Sequence, residues 1–314
     1  AGGGVLIALM ALFKIYLGSI IDDKVWKGVA EGLNYGLGFM VIFMLHFTVA
    51  TKQPAMTAAR FAEAVEKTPQ GKSVNMKLAQ LLVDVFRSQS IAVLGNVLIA
   101  MGLAALIAFG YQYKTGEPLM NADQIAYQLH SIDPFAGTLW FAAIAGVWLF
   151  CSGIISGYFD NRSNYLNMRM RLTQHPLLKK LMSEKSRVKF ANYMHENYGS
   201  LIGNLCFGML LGITGVVGYL THLPLDIRHV AFSSANVGYI AVSGQFTYSL
   251  LLQCIGFVLL IGLVNLIVSF SLTLWVALRS LNAEIESWWP IWHEVCQIVK
   301  KRPLSLFLPV QLDK

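Results

Sequence analysis

The sequence predicts an all-α polytopic membrane helix bundle with about six transmembrane helices, both termini cytoplasmic, and a C-terminal interfacial amphipathic helix. Three observations lead there. Of the 314 residues 55% are hydrophobic and only 13% charged, about half the charge of an ordinary water-soluble domain. The apolar stretches 2–21, 33–50, 91–110, 136–159, 201–220 and 251–278 each approach or exceed the ~20 residues that cross a bilayer core as helix. Lys and Arg alternate between the loops: segments 51–90, 160–200 and 279–314 hold 6, 8 and 5 of them, and segments 22–32, 111–135 and 221–250 hold 2, 1 and 1. Basic loops are retained in the cytoplasm during insertion, so this alternation sets the orientation. The net charge of +7 is then a property of one face. It marks topology and contact with anionic lipid headgroups, worth ~1 kcal/mol per basic residue near such a surface.

The elements follow in order. The chain opens on Ala1 and Gly2-Gly3-Gly4, a start expected of a fragment, a processed product or the ordered part of something longer, and no signal-peptide pattern precedes Asp22-Asp23. The cytoplasmic loop 51–90 is expected to hold short helices at 54–67 and 76–87, the second with Leu78, Leu81, Leu82, Val85 and Phe86 on one stripe. The loop 160–200 is expected to hold a basic helix over 176–198, with Pro176 at its first position. The span 282–301 reads as a helix capped by Asn282, acidic at its start through Glu284 and Glu286, basic at Lys300-Lys301, kinked at Pro290 and ended by Pro303. Trp288, Trp289 and Trp292 suit the headgroup level. The stretch 232–244, rich in small residues, is expected to form a re-entrant or interfacial element covered by protein. Residues 1–278 thus form a six-helix transmembrane domain with cytoplasmic helical loops 51–90 and 160–200. Residues 279–314 form a cytoplasmic interfacial helix and tail.

Gly95-Asn96 and Gly203-Asn204, each expected to open a helix, hint at a duplicated hairpin, although such residues also serve as ordinary punctuation. The pairs Gly32/Gly36, Gly153/Gly157 and Gly208/Gly212 have the spacing that lets helix backbones approach. Cys151, Cys206, Cys254 and Cys296 form no CxxC pair, and neither a disulfide framework nor a cofactor site is expected.

Candidate binding residues are few. Lys14 lies within the first apolar stretch, where a charge must face protein or water or snorkel to an interface. His46 in the second and Asn265 in the sixth are expected to bond between helices. The outer loop gathers His222, Asp226, Arg228 and His229. A metal site there is not expected, because Pro224 breaks the helical spacing and no third His is near. Arg228 could meet a phosphate or carboxylate headgroup, or pair with Asp226 or Asp133.

Two blocks carry a resemblance. LHFTVATKQPAMTAARFA at 45–62 and LDIRHVAFSSANVGY at 225–239 resemble segments of the bacterial family of site-specific recombinase transmembrane proteins. The resemblance implies the membrane-embedded C-terminal half of a longer protein and transfers no catalytic residue. Strand exchange needs an activated Tyr or Ser with Arg support around one phosphate. Arg162, Tyr165, Arg169, Arg171 and His175 are the only such set on the cytoplasmic side.

A non-enzymatic scaffold or envelope-assembly component of the inner membrane is therefore the leading expectation. Its partners would be membrane lipids with anionic headgroups and a membrane or periplasmic protein, not nucleic acid. A transporter or lipid-handling protein is the alternative, weakened because no acidic residue falls within the six apolar stretches. DNA recombination is the third. The orientation has a direct check: single cysteines introduced at positions 180 and 300 of a cysteine-free background should react with membrane-impermeant maleimide only from the cytoplasmic face.

Overall fold

The computed structural model describes residues 2–47, 61–65, 72–244, 246–282, 285 and 287–306. Among them the chain is helical throughout and no strand occurs. The helices are α1 (Gly2–Ile20), α2 (Lys24–Met44), α3 (Lys72–Thr115), α4 (Ala122–Ile132), α5 (Thr138–Tyr165), α6 (Met168–Gln174), α7 (Pro176–Leu181), α8 (Glu184–Thr221), α9 (Val230–Ile240), α10 (Tyr248–Ser280) and α11 (Trp289–Lys301). Helices α1, α3, α5, α8 and α10 are long and apolar enough to cross a membrane. The sixth expected span, α2, has 21 residues but falls outside that set, since Lys27, Glu31, Asn34 and Tyr35 interrupt its apolar face.

Several elements run longer than their apolar stretches. The expected helix at 76–87 is the beginning of α3, a single helix of 44 residues. Nothing between 72 and 94 breaks it, since neither Gly nor Pro occurs there. Gly95-Asn96 and Gly203-Asn204 consequently lie inside α3 and α8 and open neither helix. The expected basic helix 176–198 divides at 182–183. Pro176 starts the six-residue α7, and Ser183 caps α8 by accepting from the Ser186 amide at 3.4 Å.

The C-terminal helix starts later than its sequence suggests. Asn282 sits in a left-handed turn (φ 49°) after α10, and α11 begins at Trp289. Pro290 occupies the first turn of α11, where its missing N–H costs nothing, so it starts the helix and does not kink it. The proposed acidic start at Glu284 and Glu286 lies outside the described residues, as does most of the helix expected at 54–67.

The chain forms two compact units. One comprises Ala1–Leu12, Thr48–Phe150 and Ile227–Lys314. Its main core joins Val97, Met101, Ile132, Ala142, Val230, Val237, Cys254, Val258 and Ile261 from α3, α4, α5, α9 and α10. A satellite core joins Phe61, Leu78, Ala79, Leu274 and Ile291, which seats α11 by its apolar side. Trp289 and Trp292 stay exposed on the other side (79% and 52%).

The second unit comprises Phe13–Phe47 and Cys151–Asp226. Its α2 and α8 pack through facing glycines. A Cβ on Gly208 would collide with the backbone of Tyr35 and Gly36, one on Gly212 with the backbone of Gly32, and one on Gly28 with the side chain of Val216. Phe39 and Phe207 close the seam, ring centroids 5.2 Å apart. The spacings at Gly32/Gly36 and Gly208/Gly212 therefore form one zipper. Gly157 has nothing within 4 Å of an added Cβ and plays no such part. Gly208→Ala and Gly212→Ala should each destabilise the protein by at least about 1–3 kcal/mol, the cost of overpacking. Gly157→Ala should be neutral or stabilising by up to ~1 kcal/mol. Thermal unfolding in detergent, followed by size-exclusion chromatography, reads both outcomes.

Candidate functional site

Helix α9 positions the main group of polar side chains. Its 11 residues span about 16 Å at 1.5 Å per residue, half the ~30 Å of a bilayer core. All of them except Asn236 are buried. The sequence suits this: VAFSSANVGYI presents small or apolar residues on every side. Gly238 lies against α3, where a Cβ would strike the Met101 carbonyl, and Tyr239 donates its hydroxyl to the Ala8 carbonyl at 2.8 Å. Of the re-entrant or interfacial element expected over 232–244 the structure shows the cover by protein, as a short buried helix over 230–240.

The N-terminus of α9 lies beside Asn265, 17 residues after the start of α10 and 15 before its end (265 − 248 and 280 − 265). The first N–H groups of a helix have no partner within it, and His229 at the N-cap makes no side-chain cap. Asn265 takes over that role from the neighbouring helix. Its Oδ1 accepts from the Val230 amide at 3.1 Å, and its Nδ2 donates to the carbonyls of Ala142 at 2.7 Å and Arg228 at 3.0 Å. One carboxamide thereby ties α5, α9 and α10 together.

Arg228 reinforces the same point. Its Nε donates to the Ser131 carbonyl at 2.8 Å and its Nη1 to the Ile227 carbonyl at 2.7 Å, while the guanidinium lies 5.4 Å from the centroid of the Phe141 ring. The Arg228 amide donates to the Phe141 carbonyl at 3.2 Å. The Arg228 side chain, for which a headgroup contact and a structural pair were both open, is thus engaged with the backbone of its own unit.

Beside Asn265 lies a partly enclosed cavity with about 40 Å³ of room for the centres of water-sized molecules. Its polar wall consists of Gln89 and Asn96 from α3, His229, and Asn265 and Ser269 from α10, all buried. No Asp, Glu, Lys or Arg lines it.

The other expected residues lie elsewhere. In the second unit Lys14 Nζ is 3.4 Å from the Glu31 carboxylate on α2 and 5.7 Å from the Tyr35 ring centroid. Glu31 had been assigned to a loop; because α2 begins at Lys24, the carboxylate falls in its third turn. Lys14 therefore faces protein, one of the outcomes expected of it, and its partner there is acidic. His222 is the exposed left-handed C-cap of α8 (φ 55°). His46 lies beyond the end of α2, exposed and left-handed (φ 56°). Asp226 is half-buried, near Gly215 of α8. Among the described residues no three His, Cys, Asp or Glu side chains gather as a metal-binding set.

A second polar group joins α5 to α8 within the second unit, and no motif announced it. Ser156 Oγ donates to the Gly199 carbonyl at 2.6 Å, Asp160 Oδ1 accepts from the Gly199 amide at 3.0 Å, and Ser163 Oγ lies 3.1 Å from His195 Nδ1. Their spacing is that of one face of α5, residues 156, 160 and 163; a helical wheel of an apolar segment could have marked it. The recombinase-like set nearby is dispersed. Tyr165 is 86% exposed, Arg169 is bonded to Glu196 at 3.5 Å, Arg162 to the Tyr158 hydroxyl at 3.4 Å, and Arg171 and His175 are exposed.

In comparison with known proteins the chain matches the family described as site-specific recombinase over residues 1–309. No curated protein and no solved structure matches the chain. Asn265→Leu should strand the Val230 amide and remove the bonds to the Arg228 and Ala142 carbonyls. Buried groups left unpaired cost about 1–3 kcal/mol each, although interhelical bonds in membranes average nearer 0.6. The expected loss is on the order of 2 kcal/mol, read as a lowered unfolding midpoint. A midpoint unchanged in Asn265→Leu would show that α9 does not depend on this cap.

Proposed function

Since the chain belongs to the site-specific recombinase family, which matches residues 1–309, we propose that this part of such a protein is a non-enzymatic, multi-pass scaffold of the bacterial inner membrane and does not itself exchange DNA strands. In this reading α2 joins the five apolar helices as a sixth span, both termini lie in the cytoplasm, and α11 rests at the headgroup level through Trp289 and Trp292. The basic loops meet anionic lipid, and a membrane or periplasmic protein docks on the bundle.

One observation carries the reading. The polar side chains with the most specific geometry, Asn265 and Arg228, bond to backbone: Asn265 to the open Val230 amide of the short buried helix and to the Ala142 and Arg228 carbonyls, Arg228 to the Ser131 carbonyl. They are occupied in holding the fold. The residues that phosphoryl transfer would need are dispersed on exposed helix ends: Tyr165 projects into solvent and Arg169 is held by Glu196. A transesterification centre needs donors fixed within ~3 Å of the reacting oxygen, and this arrangement supplies none around Tyr165.

A second reading, solute transport, draws support from the Lys14–Glu31 pair and from the polar cavity beside α9. Intramembrane ionisable pairs are common in transport proteins.

The test is chemical. The chain in proteoliposomes, incubated with supercoiled and nicked duplex DNA, should form no covalent DNA adduct, and Tyr165→Phe should leave any genetic phenotype within about two-fold of the parent, as expected of a residue outside the chemistry. A phosphotyrosine-linked DNA fragment lost in Tyr165→Phe would overturn the proposal.

A further inference from the structure

We propose that the cavity beside the N-terminus of α9 is a binding site for neutral, hydrogen-bonding molecules of water size. The argument starts from cost. An apolar side chain fills the interior of a membrane bundle without penalty, whereas each buried polar group must be met by a hydrogen bond. Five polar side chains nevertheless converge on this one space, at 1% (Gln89), 7% (Asn96), 6% (His229), 3% (Asn265) and 1% (Ser269) exposure.

Their remaining bonding capacity defines the guest. Asn265 uses both Nδ2 hydrogens and one lone pair of Oδ1, which leaves a second Oδ1 lone pair. Ser269 Oγ donates to the Leu266 carbonyl at 3.1 Å and keeps both of its acceptor lone pairs. Ala231, the second residue of α9, also lines the space, and its N–H belongs to the first turn, which has no intrahelical acceptor, while the Val230 N–H is already taken by Asn265. The walls therefore offer acceptors on α10 and an N–H at the start of α9, the complement of a molecule that both donates and accepts.

Charge and volume narrow the class. No charged side chain lines the cavity, so a bare ion would lose its hydration without gaining a counter-charge. The volume of about 40 Å³ compares with ~10–15 Å³ per water on the same measure. The site thus takes up to about three molecules the size of water or ammonia. This occupancy goes beyond the scaffold reading, because a scaffold needs only the Asn265 cap.

X-ray radiolytic footprinting of the full chain in lipid nanodiscs, in H₂¹⁸O, tests it. Tyr239, 2% exposed on the same helix and away from the cavity walls, is the internal control. His229 should incorporate ¹⁸O at least about ten-fold faster than Tyr239, because radicals arise from the water it touches. Ser269→Val, which removes the acceptor and adds bulk, should lower His229 labelling at least about five-fold while Tyr239 remains protected. Asn96→Leu, on the opposite wall, gives the same reading if Ser269→Val fails to fold. Repeating the measurement with ammonia at alkaline pH separates the guests. A fall in ¹⁸O labelling means that small neutral solutes enter in general, and no change means that water alone does. His229 labelling as slow as that of Tyr239, or unchanged in both folded variants, would overturn the proposal.

Discussion

A helix that begins beside the midpoint of a neighbouring helix has to find partners for N–H groups that water would otherwise meet. In α9 that need is answered from outside the helix, by the Asn265 carboxamide on α10, which also holds the Arg228 and Ala142 carbonyls. The dependence runs in both directions. The cap allows an 11-residue helix to sit fully covered, and the covered helix then supplies the packing face against α3 at Gly238 and the contact of Tyr239 with Ala8. Arg228 secures the approach to the cap by bonding backbone carbonyls. The loop that leads into α9 is therefore polar for a structural reason.

The second unit is held by a different device. Where α9 relies on a directed hydrogen bond, α2 and α8 rely on the absence of side chains: Gly28, Gly32 and Gly36 face Gly208 and Gly212 so closely that most added methyl groups would meet backbone. In a lipid medium this close approach matters, because association there draws on dispersion and short polar contacts and gains little from apolar burial. The bonds from Ser156 and Asp160 to Gly199 extend the same logic, since the missing side chain at Gly199 admits a serine and a carboxylate to the backbone.

How much of this was legible in the sequence depended on whether a signal is local. The small residues of 232–244 announced a covered element, and Gly32/Gly36 and Gly208/Gly212 announced backbone contact, because both properties are written in the residues that perform them. Asn265 was recognised as an interhelical partner but not as a cap, since its partners are 35, 37 and 123 residues away in the chain. Glu31 was misplaced through an error of boundary: the polar start of α2 resembled a loop, and only the capping of its first turn by Asp23 makes it helix. The late start of α11 was hidden by Asn282, a good capping residue that serves a left-handed turn instead. His195 and Ser163 were passed over because each is unremarkable alone and they meet only across two helices.

The pairing of Lys14 with Glu31 bears on biogenesis. Each side chain alone would cost several kcal/mol in hydrocarbon, and α2 lacks the apolarity of the five other long helices. A translocon that released α1 into lipid before α2 had emerged would strand an ammonium group without its counter-ion. If α2 is the sixth span of the proposed reading, the two segments are fitted to leave the channel as a pre-paired helical hairpin, with the tight connection at 21–23 keeping the second within reach of the first. On that reading a charge that looks like a cost in the finished protein becomes, during synthesis, the handle by which one weakly apolar helix is carried into the membrane by its predecessor.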